Sequence, residues 1–265
     1  VTLRGLLHTR VVDGVVTRLV GKWLRAGVLE GGVMNHVEKG TPQGGVISPL
    51  LANIYLHEVL DTWWSRDVLP RMRGRPFLIR YADDFVMVFS EKEDAEKSLA
   101  VLPKRFGRFG LTLHSEKTRM VRFLPPGPNG EPAESFDFLG LTHYLGQTKR
   151  GYWTPRHKTS RKRMSRALTQ LGEWMRAARH VPIKRQAVTL GQKLLGHFAY
   201  YGIQGNSKAI GRFAYEARRL WRKWLSRRSQ RGGLTWDAFN KLLERHPLPP
   251  ARLRADVWQQ RLANL

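Results

Sequence analysis

The sequence predicts an α+β chain: a first half of short strands and helices, then an all-α, strongly basic second half. Three observations carry this. Two apolar runs rich in Phe, Val and Ile flank an Asp-Asp pair over residues 77–89, and runs that short read as buried strands. After about residue 150 the apolar spacing becomes that of amphipathic helices, with Arg-rich opposite faces. Charge divides unevenly: residues 1–150 hold 21 Lys and Arg against 16 Asp and Glu, and residues 151–265 hold 25 against 5.

Bulk composition narrows the function classes. The 265 residues, 42% hydrophobic, suffice for two domains or one large one with a packed core. Zero cysteines exclude disulfides and cysteine-ligated zinc. No run of 18 apolar residues and no signal-peptide pattern is found, so a cytoplasmic location with no membrane partner is expected. The net charge of +25 points to a polyanion, nucleic acid ahead of an acidic membrane surface.

Taken in order, Val12, Val15, Val16, Leu19, Val20, Trp23 and Leu24 predict an amphipathic helix over 11–26. Gly31-Gly32 predicts a turn and 33–37 a short strand. Residues 38–49, with three Gly and two Pro, form a loop with special backbone geometry, and Ser48 with Pro49 caps the next helix. That helix buries Leu50, Leu51, Ile54, Leu56, Val59, Leu60 and Trp63. A hairpin over 77–89 follows, closed by Ala82 to Asp84, because Asp tolerates the left-handed backbone of a tight turn. Ser90-Glu91-Lys92-Glu93 reads as a capping box for a helix that Pro103 kinks or restarts and Gly107 and Gly110 end. A strand is expected near 120–123, a loop over 125–132 and a hairpin or strand over 136–141. Helices follow near 158–179, 183–201, 207–228 and 235–245.

The Asp pair is the strongest chemical signal. Adjacent carboxylates resist ionising together unless a cation sits beside them. Mg²⁺ suits them, since it takes a few carboxylate oxygens plus substrate phosphates. The ordinary alternative is a solvated turn, because Asp is common in turns. In the second half, Lys158, Arg161, Lys162, Arg163 and Arg166 form one basic cluster. On the helix over 207–228, Arg218, Arg219, Arg222 and Lys223 oppose Ala217, Leu220, Trp221, Trp224 and Leu225. The Trp stripe reads as core rather than a base-stacking platform, and the basic faces as a nucleic-acid surface rather than a merely solvated one.

The ordered set of motifs resembles the group II intron-encoded proteins, the reverse transcriptase/maturases. Gly40-Thr41-Pro42-Gln43-Gly44 with Ser48-Pro49 is similar to the family's motif at template and incoming nucleotide. Tyr81-Ala82-Asp83-Asp84 resembles its catalytic metal-binding motif. Residues 111–117 resemble the next motif, whose Lys lies near the nucleotide phosphates, and Phe138-Leu139-Gly140 resembles the primer grip. Gly196-His197-Phe198-Ala199-Tyr200-Tyr201-Gly202 and Leu220-Trp221-Arg222-Lys223-Trp224-Leu225 resemble the maturase-specific region.

The resemblance implies a partial right-hand polymerase palm over 1–145, a linker over 146–157, and a basic thumb or domain X-like RNA-binding domain over 158–265. It implies a two-metal Mg²⁺ site with Asp83 as direct ligand and Asp84 secondary, and template-directed DNA synthesis on RNA. Gln43, Gly44 and Lys117 would bind nucleotide and template; Tyr81 is read as packing. Intron RNA, an RNA template with DNA primer, dNTPs and target DNA are the implied partners. One departure stands out: the family's upstream catalytic Asp has no match, since Asp13 lies in Val11-Val12-Asp13-Gly14. The chain reads as a fragment beginning just after that motif, without fingers, which leaves the metal site incomplete. The alternative is therefore a catalytically inactive, maturase-like RNA-binding protein.

Overall fold

A computed structural model of the chain describes residues 3–25, 28–30, 33–35, 47–229 and 233–254. The chain divides into two compact units, residues 1–120 and 121–265. Both mix helices with small antiparallel sheets, an α+β composition.

In the first unit, α1 (Leu3–His8) and α2 (Gly14–Arg25) precede a short hairpin of β1 (Val28–Glu30) and β2 (Val33–Asn35). Asp13 caps α2: its Oδ1 accepts from the Val15 amide at 2.6 Å and the Val16 amide at 3.3 Å. The amphipathic pattern of α2 is real, yet of its large apolar side chains only Val20 is buried, with Leu7 and Leu51; Val15, Val16, Leu19 and Trp23 stay exposed. The expected turn at Gly31-Gly32 and the loop carrying Gln43 and Gly44 lie outside the described residues.

The next helix starts at Ser48 itself, with Pro49 in its first turn and Ile47 as the flanking residue; Ser48 is not the cap. α3 (Ser48–Leu56) continues into π-helical stretches at His57–Thr62 and Trp64–Val68 and a short 3₁₀ turn, Leu69–Arg71. Arg105 explains part of the widening: its Nε and Nη2 donate to the Val59 and Glu58 carbonyls at 3.0 and 3.1 Å. Such insertion loosens a helical ladder. Val59, Leu60, Trp63, Trp64 and Val68 form the core with Leu102 and Phe106 of α4 (Lys92–Gly107), while Leu50 points outward.

β3 (Phe77–Tyr81) and β4 (Asp84–Val88) pair antiparallel, from Phe77 opposite Val88 to Tyr81 opposite Asp84. Only one face is covered. Leu78, Phe85 and Met87 meet the core, whereas Phe77, Ile79, Tyr81 and Val88 are exposed, because helices pack on one side only. α4 begins after Glu91, which makes no side-chain cap bond, so the Ser90–Glu93 box does not form; the buried Asp94 carboxylate instead accepts from the Arg73 amide at 2.6 Å. Pro103 sits inside α4 without ending it.

In the second unit, no strand forms at 121–123. β5 (Phe136–Phe138), β6 (Leu141–Gln147) and β7 (Trp153–Thr159) make a three-stranded meander. The stretch 146–157, expected as a linker, is the end of β6, a turn closed at Gly151 and most of β7; its polar residues serve an exposed hairpin face. Four helices follow: α5 (Arg161–Ala177), α6 (Ile183–Tyr201), α7 (Ser207–Ser226) and α8 (Trp236–Arg245). Their core gathers Leu171, Met175, Leu190, Leu194, Phe198, Ile210, Phe213, Trp221 and Phe239. Trp221 is fully buried and its Nε1 donates to the Gln186 Oε1 at 2.9 Å. Asn206, 1% exposed, accepts from the Thr159 amide and donates to the Thr159 Oγ1 and the Tyr201 carbonyl, which ties β7 to the α6–α7 corner.

His197 on α6 stacks on Phe213, and its Nε2 is buried without a partner. Burial lowers its pKa from 6.5 to about 4. A depressed histidine pKa means that the unfolded chain takes up the proton first. The contribution of neutral His197 is thus complete above pH 6.5 and is lost as pH falls toward 4. The thermal midpoint of the 121–265 unit is expected to fall across that window, and His197→Leu to flatten the fall. The slope should shrink rather than vanish, because burial and His157 also push His143 down. Circular dichroism melts between pH 7 and 4 check this.

Candidate active site

The geometry of the Asp-Asp turn starts from alternation. On β3, Leu78 and Arg80 share the face that meets the helices, so a charged side chain is aimed at a covered surface and requires partners. It finds them. The Arg80 Nε and Nη2 donate to the Asp61 Oδ1 and Oδ2 at 2.7 and 2.6 Å, a bidentate fork. Its Nη1 donates to the Asn53 Oδ1 and to the Ala82 carbonyl, both at 2.9 Å. His57 Nδ1 lies 3.2 Å from the second Asp61 oxygen. Burial works to raise the Asp61 carboxyl pKa, but the Arg80 and His57 hydrogen bonds outweigh it and hold the group below the usual carboxylate value. The Asp61 hydrogen bond in turn raises Arg80.

The turn itself is two residues, Ala82-Asp83. Ala82, and neither Asp, takes the left-handed backbone, with φ 53. Positive φ at the first turn residue fits the right-handed twist of the flanking strands. Asp83 and Asp84 are both exposed at the tip. Tyr81, expected to pack, is 67% exposed on the open face opposite Asp84. Among the described residues no group of three His, Cys, Asp or Glu side chains is gathered to hold a metal. Asp13 is engaged as the cap of α2 and Asp61 by Arg80. What the tip offers is two exposed carboxylates, hard oxygen donors on a braced turn, and these suit Mg²⁺ with water and phosphate oxygens completing its shell. Lys117 is exposed in a turn whose backbone N–H donates to the His114 carbonyl at 3.1 Å.

The sequence reading missed Asn53, Asp61 and Arg80. The signal was present, since a lone Arg at an inward position of an apolar strand asks for a buried acid.

The second unit places its basic residues differently from one another. Arg161, Lys162, Arg163 and Arg166 are exposed on α5, and Arg161, Lys162 and Arg166 share one open face of that helix with Ser165, Thr169, Gln170 and Glu173. Lys158 on β7 sits over the Tyr144 ring at 4.9 Å. Arg218 and Lys223 are exposed, and Arg219 pairs with Glu216 at 3.2 Å. Arg222 departs from the basic face: its Nη1 donates to the Leu234 carbonyl at 2.7 Å and its guanidinium covers the Trp236 ring at 4.2 Å. It ties α7 to the start of α8.

The Phe138-Leu139-Gly140 motif is a second tight turn, with φ 50 at Leu139 and 76 at Gly140. The Tyr200 hydroxyl donates to the Leu139 carbonyl at 3.1 Å, and the Ser160 amide to the Gly140 carbonyl at 3.0 Å. A Cβ at Gly140 would lie 2.8 Å from the Tyr201 hydroxyl, so a side chain there would have to displace that ring as well as adopt the positive φ that favours glycine.

Comparison with known proteins gives one family over residues 9–143, described as reverse transcriptase (RNA-dependent DNA polymerase). The group II intron-encoded protein LtrA of Lactococcus lactis subsp. cremoris is 51% identical over 59 residues, 22% of this chain and 10% of that protein. Protein YkfC of Escherichia coli (strain K12) is 35% identical over 110 aligned residues, 31% of this chain and 28% of its own. An uncharacterized 91 kDa protein in cob intron of Schizosaccharomyces pombe is 42% identical over 57 residues, 22% and 7% of the two chains. The matches thus span less than a third of each relative's length.

The Ala82 backbone yields a direct test. An L side chain in the left-handed region costs roughly 1–2 kcal/mol, most for β-branched residues. Ala82→Val is expected to lower the stability of the 1–120 unit by about 1 kcal/mol or more, and Ala82→Gly to leave it unchanged or higher. Urea titration followed by the fluorescence of Trp63 and Trp64 reads both.

Proposed function

The chain belongs to the reverse transcriptase (RNA-dependent DNA polymerase) family, and from that premise we propose that it is the palm and thumb portion of a group II intron-type reverse transcriptase and maturase. The observation that carries the reading is the β3–β4 tip, where a packed hairpin presents Asp83 and Asp84 to solvent on a turn braced by Arg80. Residues 1–120 would supply part of the palm and the basic helices of 121–265 the thumb and maturase surface. In the reaction, a primer 3′ oxygen forms a bond to the α-phosphorus of a dNTP, the α–β phosphoanhydride bond breaks, and pyrophosphate leaves as the hydroxyl proton passes to solvent or base. Asp83 and Asp84 would hold Mg²⁺, which when bound lowers the hydroxyl pKa and neutralises charge on the departing pyrophosphate. Lys117 would meet that pyrophosphate. Gln43 and Gly44, outside the described residues, would shape the nucleotide and template pocket. Intron RNA and target DNA are the further partners of this reading.

The exposed cations of α5 support RNA contact. Arg161, Lys162 and Arg166 share one open face of the helix.

Three outcomes are expected. In the full-length protein, Asp83→Ala abolishes Mg²⁺-dependent primer extension on an RNA template and leaves RNA binding nearly intact. Extension at the wild-type rate by that variant would remove Asp83 from the metal site. RNA affinity should fall with salt, and replacing Arg161, Lys162 and Arg166 by Gln should flatten the log–log slope by about 0.7 for each phosphate no longer neutralised. Arg222→Ala should instead lower stability and leave the slope unchanged, as filter binding across a salt series would read. Salt-sensitive binding with no extension by any form of the protein would favour the RNA-binding alternative.

A further inference from the structure

Arg80 bonds on two sides at once. Toward the helices it grips both oxygens of Asp61 and the amide oxygen of Asn53; toward the tip it holds the carbonyl of Ala82, the residue at φ 53. An ion pair made for stability alone needs only the first side. The fourth hydrogen bond reaches the strained residue beside Asp83, and a side chain 14% exposed is fixed well enough to hold it.

We propose that Asn53, Asp61 and Arg80 are positioning residues for the Asp83-Asp84 tip: Asp61 and Asn53 orient the guanidinium, and the guanidinium pins the Ala82 carbonyl, so the carboxylates are preorganised for a divalent cation. This rests on the reading of Asp83 as a metal ligand. The physical reason is that a two-residue turn with open edges has few other restraints. Without the pin, Ala82 relaxes out of the left-handed region and the carboxylates sample several directions. Arg is suited to this where Lys is not. Its planar fork engages Asp61 with two nitrogens and leaves a third for Asn53 and the turn, whereas an ammonium is a point charge. Outer-shell partners that orient metal-binding side chains are typically worth about 10–100-fold in metal affinity or activity.

The test uses the full-length protein and three readouts: hydrogen exchange of the amides of residues 82–84, Mn²⁺ binding followed by electron paramagnetic resonance, and the Mg²⁺ concentration giving half-maximal primer extension. Arg80→Lys and Asp61→Asn are expected to speed exchange at the tip while residues 77–79 and 86–88 stay protected. Both should weaken Mn²⁺ binding and raise the half-maximal Mg²⁺ concentration by about tenfold or more. The double exchange Asp61→Arg with Arg80→Asp restores a charge pair but cannot donate to the Ala82 carbonyl, so it should recover thermal stability without recovering the tip. Wild-type exchange at 82–84 in both single variants overturns the proposal. So does faster exchange spread evenly along the ladder, or recovery of Mn²⁺ affinity by the double exchange. Should wild type and Asp83→Ala bind Mn²⁺ equally, the metal reading itself fails, and the exchange data still decide whether Arg80 holds the turn.

Discussion

The guanidinium of Arg80 is the constraint on which the exposed turn of the first unit's hairpin depends. A two-stranded hairpin has little intrinsic stability in water. β3 and β4 gain theirs by laying Leu78, Phe85 and Met87 on the core formed by the π-wound helix and α4. That burial fixes the hairpin's body but not its tip, since Asp83 and Asp84 lie beyond the last apolar contact. Arg80 extends the packing outward in polar form. It reaches from a covered strand position to Asp61 in the π-helical stretch His57–Thr62 and to the Ala82 carbonyl. The widened helix has its own support in Arg105, whose donors meet the Glu58 and Val59 carbonyls. Two arginines thus link helix winding to the geometry of one turn.

The second unit solves a related problem with neutral groups. Among the described residues, Ala82 and Leu139 are the non-glycine residues at positive φ, and both carry a carbonyl held by a side-chain donor. Leu139 is secured by Tyr200, from 61 residues further along the chain. Gly140 is pressed by Tyr201, and that residue's carbonyl is in turn bound by the buried Asn206. Strained backbone persists where its surroundings over-determine it. Here both strained turns coincide with motifs singled out by the resemblance, which is where a rigid display of side chains or backbone would matter.

The α+β class, the Asp-Asp hairpin and the four late helices were legible because each rests on a local period. The helix over 183–201 matches α6 end to end, since Pro182 and Gly202 mark its limits locally. What was illegible depends on partners distant in sequence. The Ser90–Glu93 box has the right letters, but Asp94 is drawn inward by the Arg73 amide and the helix enters without that cap. The hairpin at 146–157 is polar and broken by Gly151, so its composition is that of a linker; only pairing with β6 makes it a strand. Arg222 sits at the right spacing for a basic face and is diverted by Trp236 and the Leu234 carbonyl. Ala82 was passed over because Asp is the usual left-handed residue, and the Arg80 donor that changes this balance is not a turn signal.

Charge gives the last step. The second unit, residues 121–265, carries 28 basic side chains against 8 acidic ones, and its described ion pairs are few: Arg122 with Glu131 and Arg219 with Glu216. A compact unit with that imbalance repels itself, which destabilises the folded state. The core is built to tolerate this. Trp221, Phe239, Leu190 and Leu194 are fully buried, and several cations lie over aromatic rings, Lys158 on Tyr144, Lys193 on Trp174 and Arg227 on Trp224. Those ring contacts hold cations in place without neutralising them, so the field persists at the surface. A fold meant only to be stable would have placed carboxylates among these residues. Leaving the field uncancelled makes sense if a polyanion completes it, and binding energy then adds to the stability of the unit through linkage. The first unit, residues 1–120, differs: it holds 18 basic side chains against 13 acidic ones, two of which sit together at one braced tip.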